Sequence, residues 1–384
     1  MKQDLGLYLH IPFCAKKCAY CDFLSWAAKE NEQERYVQAL LQEINAYQEF
    51  AKKYEVSTIF LGGGTPSILT GQQIRQIMEA IRENFAICKD AEITIEANPG
   101  TVTGHKLEEY RLVEINRISF GLQSVHDKEL KMLGRIHTFE DFLESYEMAE
   151  KAGFTNINVD IMFGIPNQKK EDWEKTLIQI AELTPAHISA YSLIVEEGTP
   201  FYNQDLALPQ EEEERLMYQG TKEILGEYGY RQYEISNYAR RGFACRHNIR
   251  YWQRKNYLGL GLGAASLLEN VRFSNTRQFL PYMKKSRQPE TIRENQEILD
   301  TKSRMEEFMF LGLRMNAGVS KESFYRQFGK HMDEIYEQPL HQYSRQGFLR
   351  NTADSVSLTE AGVSVSNYIL SEFLLDDASE HIQI

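Results

Sequence analysis

The chain is short of cysteine, of positive charge and of long apolar runs, and each shortage removes a class of protein. Five cysteines among 384 residues are too few for a disulfide framework, which belongs to small secreted chains that cannot build a sufficient core. A formal net charge of -12 leaves no positive field to neutralise phosphates, so a general nucleic-acid binder is excluded. No window approaches a span of ~18 uninterrupted apolar residues, and no membrane-crossing helix is expected. Met1-Lys2-Gln3-Asp4 opens onto a strand-like run instead of the basic and apolar regions of a secretory leader, so the expected compartment is the cytoplasm.

What is present is an alternation of strand-like and helical patterns. Strands are expected at Gly6–His10, Thr58–Leu61, Glu92–Ala97, Arg117–Gly121, Asn156–Met162 and His187–Leu193, with helical stretches such as Glu34–Phe50 and Gln72–Asn84 between them. Six βα units in succession give an α/β fold, a parallel sheet with its helices outside, curled as a partial (β/α)6 barrel. Functional residues of such sheets gather where the strands end. That is where His10-Ile11-Pro12, Gly62 to Pro66, Glu96 to Pro99, Gly121 to Ser124 and Asp160 to Pro166 fall.

After about residue 196 the texture changes. A glutamate run at 211–214 opens a helix, an aromatic-rich segment spans Tyr230 to Trp252, and "GLGLGAAS" reads as a Gly-rich turn. From about Thr301 three helical patterns precede an alternating hairpin-like stretch, a winged-helix-like α+β module. Its 8 Lys/Arg against 12 Asp/Glu disfavour DNA binding and favour a structural or docking role. The expected division is 1–196, 197–300 and 301–384.

Three of the five cysteines, Cys14, Cys18 and Cys21, lie within "IPFCAKKCAYCDF". A structural zinc site takes four protein ligands, and no fourth Cys or His is obvious nearby, with His10 still on the strand before. A cubane iron-sulfur cluster tolerates three thiolates if its fourth iron is left to an exogenous ligand. An open iron of that kind can chelate the amino and carboxylate groups of S-adenosylmethionine and reduce its sulfonium, giving methionine and a 5'-deoxyadenosyl radical. Cys88 reads as an indifferent thiol.

The CxxxCxxC loop, Tyr20 before its last cysteine and the glycine triplet after the second strand resemble the radical SAM superfamily. More narrowly, "LYLHIPFC", "GGGTP", "EANPG", "SFGLQS", "GRIHT" and "NVDIMFGIP" resemble the branch that holds oxygen-independent coproporphyrinogen III oxidase and the HemW-type heme chaperones. The resemblance covers nearly the whole chain. It implies a [4Fe-4S] cluster on Cys14, Cys18 and Cys21, and S-adenosylmethionine held by Tyr8, Tyr20, Gly63, Gly64, Thr65, Glu96, Gln123, Arg135, Asp160 and Ile194. Gly63 and Gly64 are expected to let the backbone approach the methionine end of that cofactor. No side chain is singled out as a catalytic acid, base or nucleophile.

Two features separate the relatives. The oxidase resembles CxxxCxxCxC, whereas Phe23 stands at the last position here, and the chaperone branch carries HNxxYW, present as His247, Asn248, Tyr251 and Trp252. His247 offers an iron ligand beside aromatic walls, so it is the expected axial ligand of a heme, with Cys245 second. Without the resemblance His247 is a hydrogen-bonded structural histidine among core aromatics. Ala265 stands where relatives often have His. The resemblance implies a heme chaperone that delivers to apo-hemoproteins such as respiratory enzymes, as a monomer or homodimer, with peripheral membrane contact allowed. The alternatives are the oxidase and another radical SAM enzyme that opens or methylates a tetrapyrrole.

Overall fold

Strand alternation decides what the inside of this molecule looks like. In β1 (Gln3–Ile11) the residues Leu5, Leu7, Leu9 and Ile11 are buried on one face, while Gly6, Tyr8 and His10 turn the other way, and a period of two keeps the two sets apart. The same alternation runs through β2 (Tyr54–Gly63), β3 (Ala86–Ala97), β4 (Arg117–Gln123), β5 (Asn156–Phe163) and β6 (His187–Ser192). Val56, Ile59, Ile93, Ile95, Ile118, Phe120, Val159, Ile161 and Ile188 are buried hydrophobics. The other set, with Thr58, Glu96, Arg117, Ser119, Asn158, Asp160 and Ser189, is polar and faces the inside of the curl. The computed structural model describes residues 2–375; Met1 and the tail 376–384 of the expected C-terminal module lie outside the described residues.

The six strands pair in parallel in chain order, which requires a crossover after each. Helices α1 (Glu30–Ala46), α2 (Gly71–Asn84), α3 (Gly104–Leu112), α4 (Phe139–Lys151) and α5 (Lys170–Glu182) supply them. Thr70 starts α2 with a capping box: its hydroxyl accepts from the Gln73 amide, and the Gln73 side chain accepts from the Thr70 amide. Leu40, Ile44, Ile74, Ile77 and Ile81 then face the sheet, fully buried. The expected helix Glu34–Phe50 is α1 plus a separate turn, Gln48–Ala51.

Among the described residues the sheet has twelve strands, because the stretch after α6 (Glu211–Glu227) adds strands at both edges. They are β7 (Arg231–Glu234), β8 (Asn237–Ala239), β9 (Tyr257–Leu260), β10 (Ala265–Leu268), β11 (Val271–Asn275) and β12 (Arg293–Ile298), in the order β12-β11-β10-β9-β1-β2-β3-β4-β5-β6-β8-β7. β9 lies parallel to β1, with Gly6 opposite Tyr257 and Leu9 opposite Leu260. The Gly-rich stretch expected as a turn is therefore half strand. Its alternate residues Leu258 and Leu260 are fully buried, and Gly259 is needed because a Cβ there would collide with the Ala265 carbonyl.

The HNxxYW segment forms a short helix, α7 (Arg246–Trp252), at the end of the curl where the parallel strands begin. The Glu92 carboxylate accepts from the amides of Arg246 and His247, both 3.0 Å away, and so caps the helix from a neighbouring strand. Arg250, nearly fully buried, donates to both Asp4 oxygens at 2.8 and 2.9 Å and to the Asn256 carbonyl. The chain then reaches α8 (Thr301–Gly312), which begins a second core of Met305, Met309, Phe324, Leu340 and Val356. Further helices and a small three-stranded sheet complete that module, in the helix-then-hairpin order expected of it. The two cores meet at a buried ion pair, Arg254 to Glu307 at 2.6 Å, with Arg272 on the other Glu307 oxygen. No helix among the described residues is long and apolar enough to cross a membrane.

Removing one partner of a buried pair strands the other charge, at a cost of about 3–5 kcal/mol. Glu307→Ala is therefore expected to lower the unfolding free energy, measured by denaturant titration, by an amount in that range. A surface pair such as Lys151–Glu147 is expected to change it by less than about 1 kcal/mol.

Candidate functional site

At the carboxyl ends of the parallel strands the loops enclose a cavity of about 320 Å3. Cys14, Cys18, Cys21, Tyr20, Gly63, Gly64, Thr65, Glu96, Gln123, Arg135, Asp160 and Ile194 all line it. Twelve of the fourteen expected site residues, which are spread over 180 positions of sequence from Cys14 to Ile194, thus share one opening.

The cysteine loop leaves β1 and crosses the top. The Ala19 amide donates to the Leu133 carbonyl at 3.0 Å, and the Ala19 carbonyl accepts from the Phe201 amide at 3.0 Å. Ala19 and Tyr20 pack there with Leu133, Met162, Leu193 and Phe201. Gly134, at φ 78, leaves room for this crossing, since a Cβ would stand 3.2 Å from the Ala19 nitrogen. Burial pushes the Cys21 thiol above its usual range, so a neutral thiol is favoured there until a metal takes the proton's place.

Arg135 ties the strand ends to that loop. Its guanidinium donates to the Gly121 carbonyl, to Asn98 Oδ1 at 2.8 Å and to Cys18 Sγ at 3.5 Å, and its Nε is buried without a partner. Asn98 in turn donates to Thr65 Oγ1 at 2.8 Å, and Thr65 donates to Cys14 Sγ at 3.5 Å. One polar chain therefore reaches two of the three sulfurs. Gln123 is held at φ 80, an unusual conformation for a residue with a Cβ, and its Oε1 accepts from the Tyr191 hydroxyl at 2.7 Å.

Glu96 and Asp160 form the floor. Burial, and then the neighbouring Asp160 carboxylate, push Glu96 up to about 8. Burial likewise raises Asp160, against hydrogen bonds from Ser189, Asn158 and Ser119 and the charge of Arg117. One Glu96 oxygen accepts from the Gly63 amide at 3.0 Å, and the other is left for a guest.

The geometry alters the reason for the glycines. A Cβ on Gly63, at φ 110, would strike the His10 ring, and one on Gly64 would come within 2.6 Å of the Phe13 carbonyl. The amides of Gly64 and Thr65 donate to the carbonyls of Ile11 and Phe13 at 2.8 and 2.7 Å. These glycines let the end of β2 seat against the strand that carries the cysteines, and a side chain at Gly63 would displace that strand instead of merely filling the cavity.

Tyr8 and His247 are not in the upper cavity. They line a separate polar chamber of about 220 Å3 below it, with Arg117, Asn248 and Tyr251, and share only Glu96, Ser119 and Asp160 with the space above. His10 Nε2 donates to the Leu24 carbonyl at 2.8 Å, so Nδ1 accepts from the Tyr8 hydroxyl at 3.0 Å. His247 is 1% exposed. Thr58 Oγ1 meets its Nδ1 at 2.8 Å, and the Tyr251 hydroxyl meets its Nε2 at 2.9 Å. Burial, with Arg250 and Arg117 close by, pushes it down to about 3, which keeps the ring neutral. Both nitrogens of His247 are occupied and the chamber beside it holds only about 220 Å3, so the expected axial ligation there gives way to a structural role. Cys245, fully buried against Glu92, is closed off in the same way.

Asn98, Ser119 and Tyr191 were missed as lining residues. Asn98 sits inside "EANPG", and Tyr191 ends a strand, so position at a strand end was the available signal.

Residues 8–180 match the radical SAM superfamily and residues 299–365 match the HemN C-terminal domain. Heme chaperone HemW of Lactococcus lactis subsp. lactis is 36% identical over 381 residues, covering 98% of this chain and 99% of that protein. Heme chaperone HemW of Escherichia coli is 36% identical over 378 residues, 97% of this chain and 98% of its own. The chain belongs to the HemW family of radical SAM proteins. Its fold is that of the coproporphyrinogen III oxidase HemN from Escherichia coli, a radical SAM enzyme, with a TM-score of 0.87 and 24% identity over 97% of this chain and 90% of the other.

Membership in the superfamily implies a [4Fe-4S] cluster and S-adenosylmethionine, and the residues present fit both. Three thiols border one opening, and a cubane cluster takes three thiolates, each on a different iron. The unpartnered Arg135 Nε and the open Glu96 oxygen suit a cofactor with carboxylate and amino groups.

Cys18→Ala is expected to abolish the visible iron-sulfur absorbance after anaerobic reconstitution, whereas Cys88→Ala keeps it. The ionised Glu96 carboxylate accepts from a cationic or amino group more strongly than the neutral acid does. Its proton is held until about pH 8, so affinity for S-adenosylmethionine is expected to rise with pH up to that value and then level. Glu96→Gln should flatten the rise, as measured by anaerobic calorimetry.

Proposed function

We propose that this protein binds heme and passes it to apo-hemoproteins, with a [4Fe-4S] cluster and S-adenosylmethionine in the cavity at the top of the partial barrel. The observation that carries the reading is similarity over nearly the full length to proteins named heme chaperone HemW. Phe23 supports it. The residue two past Cys21 bears an aromatic ring, 61% exposed, where a fourth cysteine would stand in the oxidase pattern. Likeness to HemN shows the shared fold and does not choose between carrier and oxidase.

In this reading residues 1–196 hold the cluster and the cofactor, 197–300 close the curl from below and extend the sheet, and 301–384 form a docking module. The cluster sits on Cys14, Cys18 and Cys21. Tyr20, Thr65, Glu96, Gln123, Arg135, Asp160 and Ile194 border the cofactor, which supplies radical chemistry when it is bound and reduced. Arg135 and Asn98 hold the loop in register with the strand ends. The work is done in the cytoplasm, and the recipients are apo-hemoproteins such as respiratory enzymes.

Anaerobically reconstituted protein, given S-adenosylmethionine and a strong reductant, is expected to form no protoporphyrinogen from coproporphyrinogen over many hours. It is expected to bind heme and to yield it to an apo-hemoprotein, seen as a shift of the Soret band to the acceptor's. Steady conversion of coproporphyrinogen would establish the oxidase instead.

A further inference from the structure

The cavity above the cysteines, about 320 Å3, is at the low end of the ~300–1,000 Å3 that holds one drug-sized ligand. A cluster and S-adenosylmethionine account for that space. The chamber below is smaller, and His247, Asn248 and Tyr251 of α7 form one of its walls. Neither space inside the curl is left for a planar macrocycle, and at the mouth of the upper one the chemistry changes.

Phe23 and Ile194 are 61% and 66% exposed, and both border the opening. One leaves the first parallel strand, and the other follows the last. Single exposed apolar side chains are ordinary, but two that flank one opening from the two ends of a strand array make a shared apolar rim. Lys16 and Lys17 border the same opening, and Lys17 Nζ donates to the Phe23 carbonyl at 2.9 Å. Two cations adjacent in sequence thus border the opening that Phe23 also lines, in a chain of net charge -12. Asp22 and Glu196 also border the opening, so a guest with carboxylates is steered to the lysines.

We propose that heme lies across the mouth of the cysteine cavity, its macrocycle covering Phe23 and Ile194 and its two carboxylates turned to Lys16 and Lys17. The placement rests on the heme-carrying function above and adds the site. It assigns the ring contact to apolar burial and the orientation to the lysine pair.

The test titrates anaerobically reconstituted protein with hemin and with hemin dimethyl ester, whose carboxylates are blocked, following the Soret band. Iron and sulfide content is measured for every variant. Phe23→Asp is expected to raise the Kd for both ligands about tenfold or more, and Phe23→Leu to hold it within about twofold. The double variant Lys16→Glu, Lys17→Glu is expected to raise the Kd for hemin about tenfold and to leave the diester unchanged. If Phe23→Asp loses its cluster, the lysine variant and the diester decide. Hemin bound with wild-type affinity by the lysine variant, or hemin and diester weakened equally by it, would overturn the placement while the carrier function stands. A wild-type protein that binds no hemin would overturn both.

Discussion

The crossing of the cysteine loop at Ala19 is the constraint on which the upper site depends. An open curl of parallel strands has a gap between its first and last members, and here a loop from the first strand spans it, fixed by backbone hydrogen bonds on both sides of one residue. Because the bonds are made by backbone, the thiols stay free to face the cavity. The loop is irregular, yet both backbone groups of Ala19 and the Cys21 amide find backbone partners, and that helps it to sit over a partly buried space. Arg135 adds the second restraint, since its two terminal nitrogens meet a strand-end carbonyl, a strand-end amide side chain and a sulfur. Three separate strands are thereby referenced to the loop that carries the cluster ligands.

The lower end of the curl is closed by a different device. Polar side chains line the inside because strand alternation puts one residue in two there, and the outside must be apolar to receive the helices. A polar interior needs partners, and α7 brings them: His247 to Thr58, Arg250 to Asp4, helix amides to Glu92. The same helix reaches the second module, where the Arg314 guanidinium lies 4.6 Å over the Trp252 ring and Arg254 meets Glu307. The motif thus satisfies the buried groups of the barrel and fastens it to its neighbour.

Much of this was legible in the sequence, and the failures have physical causes. The six strands were visible because each is apolar on one face, and the site residues because they end strands. Strand starts were placed late by up to six residues, as at Ala86–Ala97, where the exposed Lys89-Asp90 pair looked like loop. β9 was hidden because its glycines imitate a turn, and only the collision a side chain at Gly259 would make explains them. His247 was misplaced for a deeper reason: a histidine with aromatic neighbours looks the same in a string of letters whether its nitrogens are free or occupied. Occupancy of Nε2 by Tyr251 is local, but that of Nδ1 is decided by Thr58, a residue 189 positions away.

A carrier has to release what it holds, and that requirement separates the two ends of this barrel. Making room for a macrocycle in the lower chamber would require α7 to move, which would break the Glu92 cap, the Arg250–Asp4 pair and the bonds of His247 together. Hydrogen bonds to charged groups are worth about 1.5–3 kcal/mol each, so the barrier would be that of local unfolding. A ligand spread over an exposed rim has one face on the protein and one face free. Another protein can then cover the free face before the first contact is lost, and the exchange needs no opening of the fold. The exposed ring of Phe23, which has no role in the packing of the barrel, is understandable on that ground.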